Sequence, residues 1–259
     1  MKLSCVTASY VADLLRYAGA IDWGEASQRA AQAPLLSTID GILERLAPAR
    51  LDGIELWFPH VWPAKVTPSL ASVVRRRLAA RGMACCACAG GLPDPAMDPD
   101  GCEELFQVTQ MLHAPLIAAH LPAAIVPRLG AFCERYGVRL GFENGHERDA
   151  SEIIAVIREG GPWLGANLDT GNLAAQGGDP VRAVRELAGR LVHVHFKDVP
   201  AVGAHDCVAL GKGIVDVRGV VRELKAIGYD GWLSIEIETA DRDPTEEIIA
   251  SAELLRALW

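Results

Sequence analysis

Short apolar runs rich in β-forming residues alternate along this chain with segments of helical periodicity, and the alternation repeats eight times. Such alternation is typical of βαβ units, and therefore of a parallel sheet. The runs predict strands at Leu3–Thr7, Gly53–Trp57, Ala84–Ala89, Leu116–His120, Leu140–Glu143, Gly165–Asp169, Val192–Phe196 and Trp232–Ile237. The periodic segments predict helices at Leu36–Ala47, Pro68–Ala80, Cys102–Leu112, Pro127–Tyr136, Ser151–Arg158, Pro180–Ala188, Asp216–Ile227 and Pro244–Leu258.

Polar residues at the ends of four predicted strands distinguish a closed barrel from an open sheet. Strands that are buried on both faces normally read as continuous Val, Ile and Leu runs. In the run 191–197, however, period-two alternation puts His193, His195 and Lys197 on one face. The other face must be apolar because it meets the helices, so the polar face points inward, toward the axis of a barrel. We therefore predict an α/β fold, a single-domain (β/α)8 TIM barrel that spans residues 1–259.

The composition limits the classes of partner. The chain has a net charge of −8, which disfavours nucleic acid because phosphate backbones require a basic surface. No apolar stretch is long enough to predict a membrane span or a signal peptide. Seven cysteines are present, and we interpret the crowded Cys85, Cys86 and Cys88 as reduced core residues, which predicts a cytoplasmic protein.

Four ionisable residues at strand ends predict a metal site. Glu143 and Asp169 end two predicted strands, and 26 residues separate them, as 26 separate Asp169 from His195. Glu236 follows at the end of the last strand. An isolated carboxylate buried there would cost several kcal/mol, so converging carboxylates need a shared cation. Three carboxylates and one imidazole suit one divalent ion, with Mn²⁺ or Mg²⁺ favoured and Co²⁺ or Zn²⁺ possible.

Other polar and aromatic residues near the predicted mouth are candidates for substrate binding. Glu55 is predicted either to bind substrate hydroxyls or to support a ligand from behind, and His120 to act as an acid/base or a polar contact. Lys197 is predicted either to contact a substrate oxygen or to neutralise Glu238. Trp57 is expected to form an apolar wall with its neighbours His60 and Trp62, although a packed loop explains these residues equally well. His193 is interpreted as a satisfied interior histidine.

Six short motifs in a fixed order resemble one family. They are Gly-Ile-Glu-Leu-Trp at 53–57, Gly-Phe-Glu-Asn at 141–144, Leu-Asp-Thr-Gly-Asn at 168–172, His-Val-His-Phe-Lys-Asp at 193–198, Gly-Lys-Gly at 211–213 and Ser-Ile-Glu at 234–236. The chain is similar to the xylose isomerase-like TIM barrels, a group of sugar phosphate isomerases and epimerases that includes inosose isomerases and dehydratases. The resemblance implies that Glu143, Asp169, His195 and Glu236 bind the metal. It also implies that Glu143 and Glu236 exchange a proton with the carbon beside a carbonyl, through an enediolate.

One residue departs from the pattern, since many members have a histidine where this chain has Asn172. An amide donates a hydrogen bond but cannot relay a proton at neutral pH, which puts any acid/base role there in doubt.

The resemblance leaves several functions open. We expect isomerisation or epimerisation of a small polyhydroxylated keto compound, a keto sugar or inosose, preferably unphosphorylated. A dehydratase of the inosose or dehydroshikimate type would share the first step. An endonuclease-like phosphodiesterase fits less well, because its metal cluster needs further histidines, and a non-catalytic binding protein is the last class. A homodimer is possible.

Overall fold

Eight strands pair side by side in one parallel sheet in the computed structural model, which describes residues 1–259. The order is β1-β8-β7-β6-β5-β4-β3-β2, so the sheet turns round on itself. At the remaining seam, Val6 forms a single bridge with Glu55, and the Asp52 N–H donates to the Leu3 carbonyl at 2.8 Å. The strands are β1 (Lys2–Cys5), β2 (Gly53–Trp57), β3 (Ala84–Ala89), β4 (Leu116–Ala119), β5 (Arg139–Glu143), β6 (Leu164–Asp169), β7 (Leu191–Phe196) and β8 (Trp232–Ile235).

Helices cover the outside of this ring, which is a single-domain (β/α)8 TIM barrel as the alternating pattern predicts. They are α1 (Val11–Leu14), α2 (Trp23–Gln32), α3 (Leu35–Leu46), α4 (Pro68–Ala79), α5 (Pro99–Met111), α6 (Val126–Tyr136), α7 (Ala150–Ile157), α8 (Thr170–Ala175), α9 (Pro180–Leu187), α10 (Val217–Ala226) and α11 (Thr245–Leu258). No helix combines the length and the apolar character needed to cross a bilayer.

The helix starts follow the capping signals in the sequence. The Asp179 carboxylate accepts hydrogen bonds from the N–H groups of Val181 and Arg182, directly before Pro180 begins α9. Asp243 likewise accepts from the Thr245 N–H at 2.8 Å, so α11 begins one residue after the predicted Pro244. Gly228, with φ of 68°, ends the α10 region in a left-handed conformation.

Three helices were not predicted. α1 and α2 fill the long connection after β1, and α8 follows β6 directly. The physical reason is clear for α2: only Ala26 and Ala30 of its ten residues are buried, so its inward face consists of small side chains in place of the large apolar residues that mark a helix in the sequence. Strand β8 also stops at Ile235, two residues earlier than predicted, which leaves Glu236 just beyond the last strand pair.

The barrel has an apolar outer layer and a polar interior. Outward side chains such as Ile54, Leu140, Val194 and Phe196 join the helices in one core cluster of 65 buried residues. Inside, Glu55 of β2 contacts β7 although these strands are not neighbours, so its side chain must cross the barrel. The polar interior therefore reaches below the strand ends.

Candidate metal centre

The structure brings together the four residues that the sequence analysis assigns to a metal. One ligand atom from each of Glu143, Asp169, His195 and Glu236 lies within 4.8 Å of the others. All four side chains are buried, at the carboxyl ends of β5, β6, β7 and β8. This end of the ring is where the active sites of such barrels lie.

Amide and hydroxyl side chains hold these strand ends in place. The Asn144 side chain accepts from the Asp169 N–H at 2.9 Å and donates to the Asp169 carbonyl at 3.0 Å. Asn167 accepts from the His195 N–H at 3.1 Å. The Thr170 hydroxyl donates to the Lys197 carbonyl at 2.6 Å, across the β6–β7 pair. The backbone at Asp169, His195 and Lys197 is thus fixed by neighbouring polar side chains.

One ring nitrogen of His195 is hydrogen-bonded and the other is not. Its Nε2 donates to Glu55 Oε1 at 3.0 Å. Its Nδ1 lies 3.3 Å from Glu143 Oε1 and 3.2 Å from Glu236 Oε2, yet forms no hydrogen bond. Burial lowers the pKa of His195, but the surrounding carboxylates outweigh burial and raise it well above its ordinary value. A positive charge, proton or metal, is therefore favoured at Nδ1.

Lys197 lies inside the cluster and not merely at its rim. Its Nζ is 3.0 Å from Glu238, 3.1 Å from Asp169 Oδ2 and 3.2 Å from Glu236 Oε2. The expected ion pair with Glu238 is present, but one ammonium cannot balance the carboxylates around it. Burial raises the pKa of Asp169 to about 6 and that of Glu238 to about 7, even though Lys197 opposes both shifts.

The donor set fits a divalent cation. Asp169 Oδ2 and Glu236 Oε2 are buried and lie close to the Lys197 ammonium, yet they accept no hydrogen bond of good geometry, like Nδ1 of His195 beside them. Three carboxylates and one imidazole then face a common point with an excess of negative charge. An ion of charge +2 would satisfy the orphaned atoms and the charge together.

His120 lies at the mouth as predicted and contacts a candidate ligand. Its Nε2 is 3.1 Å from Glu143 Oε1 and its Nδ1 is 3.1 Å from the Glu143 carbonyl. The ring is 57% exposed, and the Glu143 carboxylate raises the pKa of His120 to about 9. A cationic imidazole thus stands between Glu143 and the cavity.

Glu55 lies below the mouth, so of its two predicted roles its position favours support of a ligand from behind and not contact with a substrate. It is fully buried, and its two oxygens accept hydrogen bonds from Nε2 of His193 at 2.8 Å and from Nε2 of His195 at 3.0 Å. Burial raises the pKa of Glu55, but the two histidines outweigh burial and hold the pKa below its ordinary value. Glu55 does not line the cavity, so a substrate hydroxyl cannot reach it. His193 is the interior histidine that the sequence analysis expects.

A cavity of about 1440 Å³ opens above the four candidate ligands. Its lining includes Trp57, as expected, whose indole contacts Trp23 edge-to-face with ring centroids 5.8 Å apart. Trp62 does not line the cavity, and His60 is buried with its Nδ1 3.1 Å from the Thr7 hydroxyl. Trp23 was missed because it begins α2, a helix that the sequence analysis did not predict. The apolar wall is therefore Trp57 with Trp23.

Two other polar residues have structural partners. Asn172 lines the cavity and donates through Nδ2 to the Asn144 carbonyl at 3.2 Å. Asp198, which the sequence analysis did not single out, accepts from the N–H groups of Gly211 and Gly213 at 2.9 Å each. A β-carbon at 213 would overlap the Val199 carbonyl, so the Gly-Lys-Gly motif packs against Asp198.

Comparison with known proteins finds a family model that matches most of the chain and relatives that match about a third of it. The family model described as Xylose isomerase-like TIM barrel matches residues 43–258. L-ribulose-5-phosphate 3-epimerase UlaE of Shigella flexneri is 35% identical over 98 residues, which is 37% of this chain and 34% of that protein. Inosose dehydratase of Lacticaseibacillus casei is 29% identical over 94 residues, 30% of each chain. The matches thus cover only about a third of the length of these relatives.

Solved structures share the fold. The probable 3-DHS dehydratase AsbF of Bacillus anthracis has a TM-score of 0.73 at 18% identity and covers 99% of both chains. The IolI protein, solved with a zinc atom, has a TM-score of 0.73 at 16% identity and covers 99% of this chain and 97% of its own. At such identities the likeness demonstrates a common architecture.

Proposed function

The chain belongs to the xylose isomerase-like TIM barrel family, and from this premise we propose that it is a metal-dependent isomerase or epimerase of a small polyhydroxylated keto compound. One observation carries the proposal. Glu143 and Glu236 both lie within 3.3 Å of His195 Nδ1, at the base of an open cavity. Two carboxylates at one point can remove and return a proton. The relative named as a 3-epimerase supports this reading.

Glu143, Asp169, His195 and Glu236 would hold the metal. A divalent ion bound there would polarise the carbonyl and a neighbouring hydroxyl of the substrate and stabilise the negative charge of an enediolate. The oxygen-rich ligand set favours Mn²⁺ or Mg²⁺, although the zinc in the IolI neighbour keeps Zn²⁺ and Co²⁺ open.

The chain's own residues would divide the remaining work. Glu143 and Glu236 move the proton to and from the carbon beside the carbonyl. Lys197 places an ammonium among Glu238, Asp169 and Glu236, where it offsets part of the negative charge at the base of the cavity. Trp57 offers an apolar face to the carbon skeleton. These roles rest on the position of each group around the cavity.

The charge of the cavity points to an unphosphorylated substrate. Lys197 is the single Lys or Arg among the lining residues, and carboxylates already surround it. Glu147 and Asp206 add further negative charge to the lining. A phosphate dianion would meet no Lys or Arg side chain that is free of carboxylate partners, unlike the guanidinium or lysine sites that normally bind it. The same lining disfavours a phosphodiester.

A dehydratase is the second candidate, and His120 favours it. Loss of water begins with the same proton abstraction but then needs an acid for the departing hydroxyl. The His120 ring is half exposed to the cavity and is cationic beside Glu143. Relatives named as an inosose dehydratase and a probable 3-DHS dehydratase support this alternative.

Proton NMR in D₂O tests the proposal. The Mn²⁺-loaded protein should exchange the proton beside the carbonyl of a keto sugar or an inosose, and the matching phosphate ester should react more slowly. An epimerase leaves the substrate mass unchanged apart from deuterium, whereas a dehydratase yields a product lighter by one water. Absence of exchange across keto sugars, inososes and dehydroshikimate would reject both reactions.

A further inference from the structure

One carboxylate serves two imidazoles inside the barrel. Glu55 extends from β2 across the interior, where Oε2 meets Nε2 of His193 and Oε1 meets Nε2 of His195. All three side chains are at most 1% exposed. The two rings lie edge-to-face with centroids 5.4 Å apart, so neither can turn without displacing the other. Nothing else in the barrel offers His195 Nε2 an acceptor.

These contacts decide which nitrogen of His195 can face a metal. A neutral imidazole carries one N–H, and a nitrogen that binds a metal must present its lone pair. The Glu55 carboxylate accepts hydrogen bonds and cannot donate one when ionised. His195 therefore keeps its N–H at Nε2, and its Nδ1 lone pair is left for the site that Glu143, Asp169 and Glu236 complete.

His193 holds Glu55 in turn. Without it, a carboxylate with a single partner could rotate and lose its alignment with His195. The 2.8 Å bond from His193 Nε2 fixes the second oxygen and so fixes the plane of the carboxylate. The Nδ1 of His193 is buried and has no partner, so its contact with Glu55 is the one polar bond of its ring.

We propose that Glu55 is a positioning residue for the metal centre, fixing the Nε2–H tautomer and orientation of His195, and that His193 steadies it. The inference rests on the proposed function, because it takes His195 to be a metal ligand. Partners that orient a ligating histidine in this way typically contribute about 10- to 100-fold in metal affinity. Glu55 itself touches neither metal nor substrate.

Metal affinity separates this role from a purely structural one. In Glu55→Gln, the amide has one accepting oxygen and one donating NH₂ group for two imidazoles that both donate. One histidine must then change tautomer. A change at His193 would bury an N–H at Nδ1 without an acceptor, whereas a change at His195 turns its N–H toward Glu143 and Glu236, so the change falls on His195 and its Nδ1 can no longer bind. We expect E55Q to weaken Mn²⁺ binding about 10- to 100-fold. His193→Gln, the matched control, offers an amide N–H to Glu55 in place of Nε2–H and keeps the bond between Glu55 and His195, so it should lose about threefold at most.

Titration of the chelator-stripped proteins with Mn²⁺, followed by the electron paramagnetic resonance of free Mn²⁺, measures these affinities. Thermal unfolding of each metal-free variant reports whether it is folded. Should E55Q not fold, Glu55→Asp keeps the charge but shortens the reach, and the same loss is expected. Parent affinity in E55Q, or an equal loss in H193Q, would overturn the positioning role alone. A parent chain that binds no metal would overturn the proposed function and this inference together.

Discussion

Two halves of the strand ring have the same backbone pairing but opposite side-chain chemistry at their carboxyl ends. Strands β5 to β8, which we call the charged half, lead to Glu143, Asp169, His195 and Glu236. Strands β3 and β4, which we call the small half, contain only Ala, Cys, Leu and Ile. The charged half supplies the ionisable side chains of the site, and the small half leaves space in the cavity. Small residues that end or follow β3 line the cavity opposite the carboxylates, at Ala89, Gly90 and Gly91.

The charged half also needs extra bonds that the small half lacks. Buried carboxylates repel one another, so the backbone that carries them must be held by other contacts. Asn144, Asn167, Thr170 and Asp198 provide these contacts as side-chain to backbone hydrogen bonds beside β5, β6 and β7. In β3, by contrast, the side-chain hydrogen bonds are long thiol contacts to Ala87 and Ile54. Function in the charged half therefore depends on an ordered backbone, and function in the small half depends on small side chains.

The largest effect should follow from neutralising a carboxylate of the charged half. Glu143→Gln and Glu236→Gln each remove a proton acceptor, and we expect substrate proton exchange to fall by about 10²- to 10⁴-fold. Glu246→Gln, on the exposed first turn of α11, is the control and should leave exchange unchanged. Deuterium incorporation by NMR gives the rates. Exchange at the parent rate in both variants would show that the charged half does not carry the chemistry.

Stability should depend strongly on Asp198, which anchors the loop after β7. Asp198→Ala leaves the N–H groups of Val199, Gly211, Gly213 and Val215 without their acceptor, so we expect a loss of about 3 kcal/mol or more in unfolding free energy. Asp216→Ala removes a single helix cap, to Gly219, and should cost about 1 kcal/mol. Urea unfolding compares the two. Equal losses would mean that the loop does not need its buried anchor.

A side chain added to the small half should affect substrate binding alone. A β-carbon at Gly91 would meet no atom within 4 Å, so Gly91→Leu can extend into the cavity without strain. We expect KM to rise about tenfold with little change in kcat or Mn²⁺ affinity. Gly130→Leu, at an equally open glycine on α6 outside the cavity lining, is the matched control. Loss of metal binding in G91L would contradict the separation of the two halves.

The smallest effect is expected at Asn172, where many family members have histidine. The Asn172 side chain donates to the Asn144 carbonyl, and an imidazole can make a similar bond. Asn172→His should therefore change kcat/KM and Mn²⁺ affinity by about threefold at most. Steady-state kinetics and Mn²⁺ titration measure both. A gain of tenfold or more would mean that the asparagine limits the catalytic apparatus of this chain.

The sequence predicted local features well because they leave local signals. Apolar runs with period-two alternation placed the strands within a few residues, and the ends of those runs supplied the residues that now converge. Asp179 marked the start of α9 through its own side chain. Helix α2 also begins at a capping carboxylate, since Asp22 accepts from the Glu25 N–H at 2.9 Å, but only two alanines of the helix are buried, so it lacks the run of large apolar residues that marks the other helices.

Contacts between distant strands could not be predicted from the sequence. Glu55 meets His193 and His195 only because the closed ring carries β2 across from β7. Strand alternation places Lys197 on the face of His195, but the carboxylates that its ammonium meets, Asp169 and Glu236, follow from the positions of β6 and β8 beside β7. Which partner a buried charge finds depends on the three-dimensional closure of the barrel.

Metal titration of the chelator-stripped chain tests the central claim most directly. The account predicts that about one Mn²⁺ binds per chain, and that Asp169→Asn, which replaces one buried carboxylate, abolishes tight binding while the barrel stays folded. Failure of the parent chain to bind a divalent ion, or unchanged affinity in D169N, would contradict it.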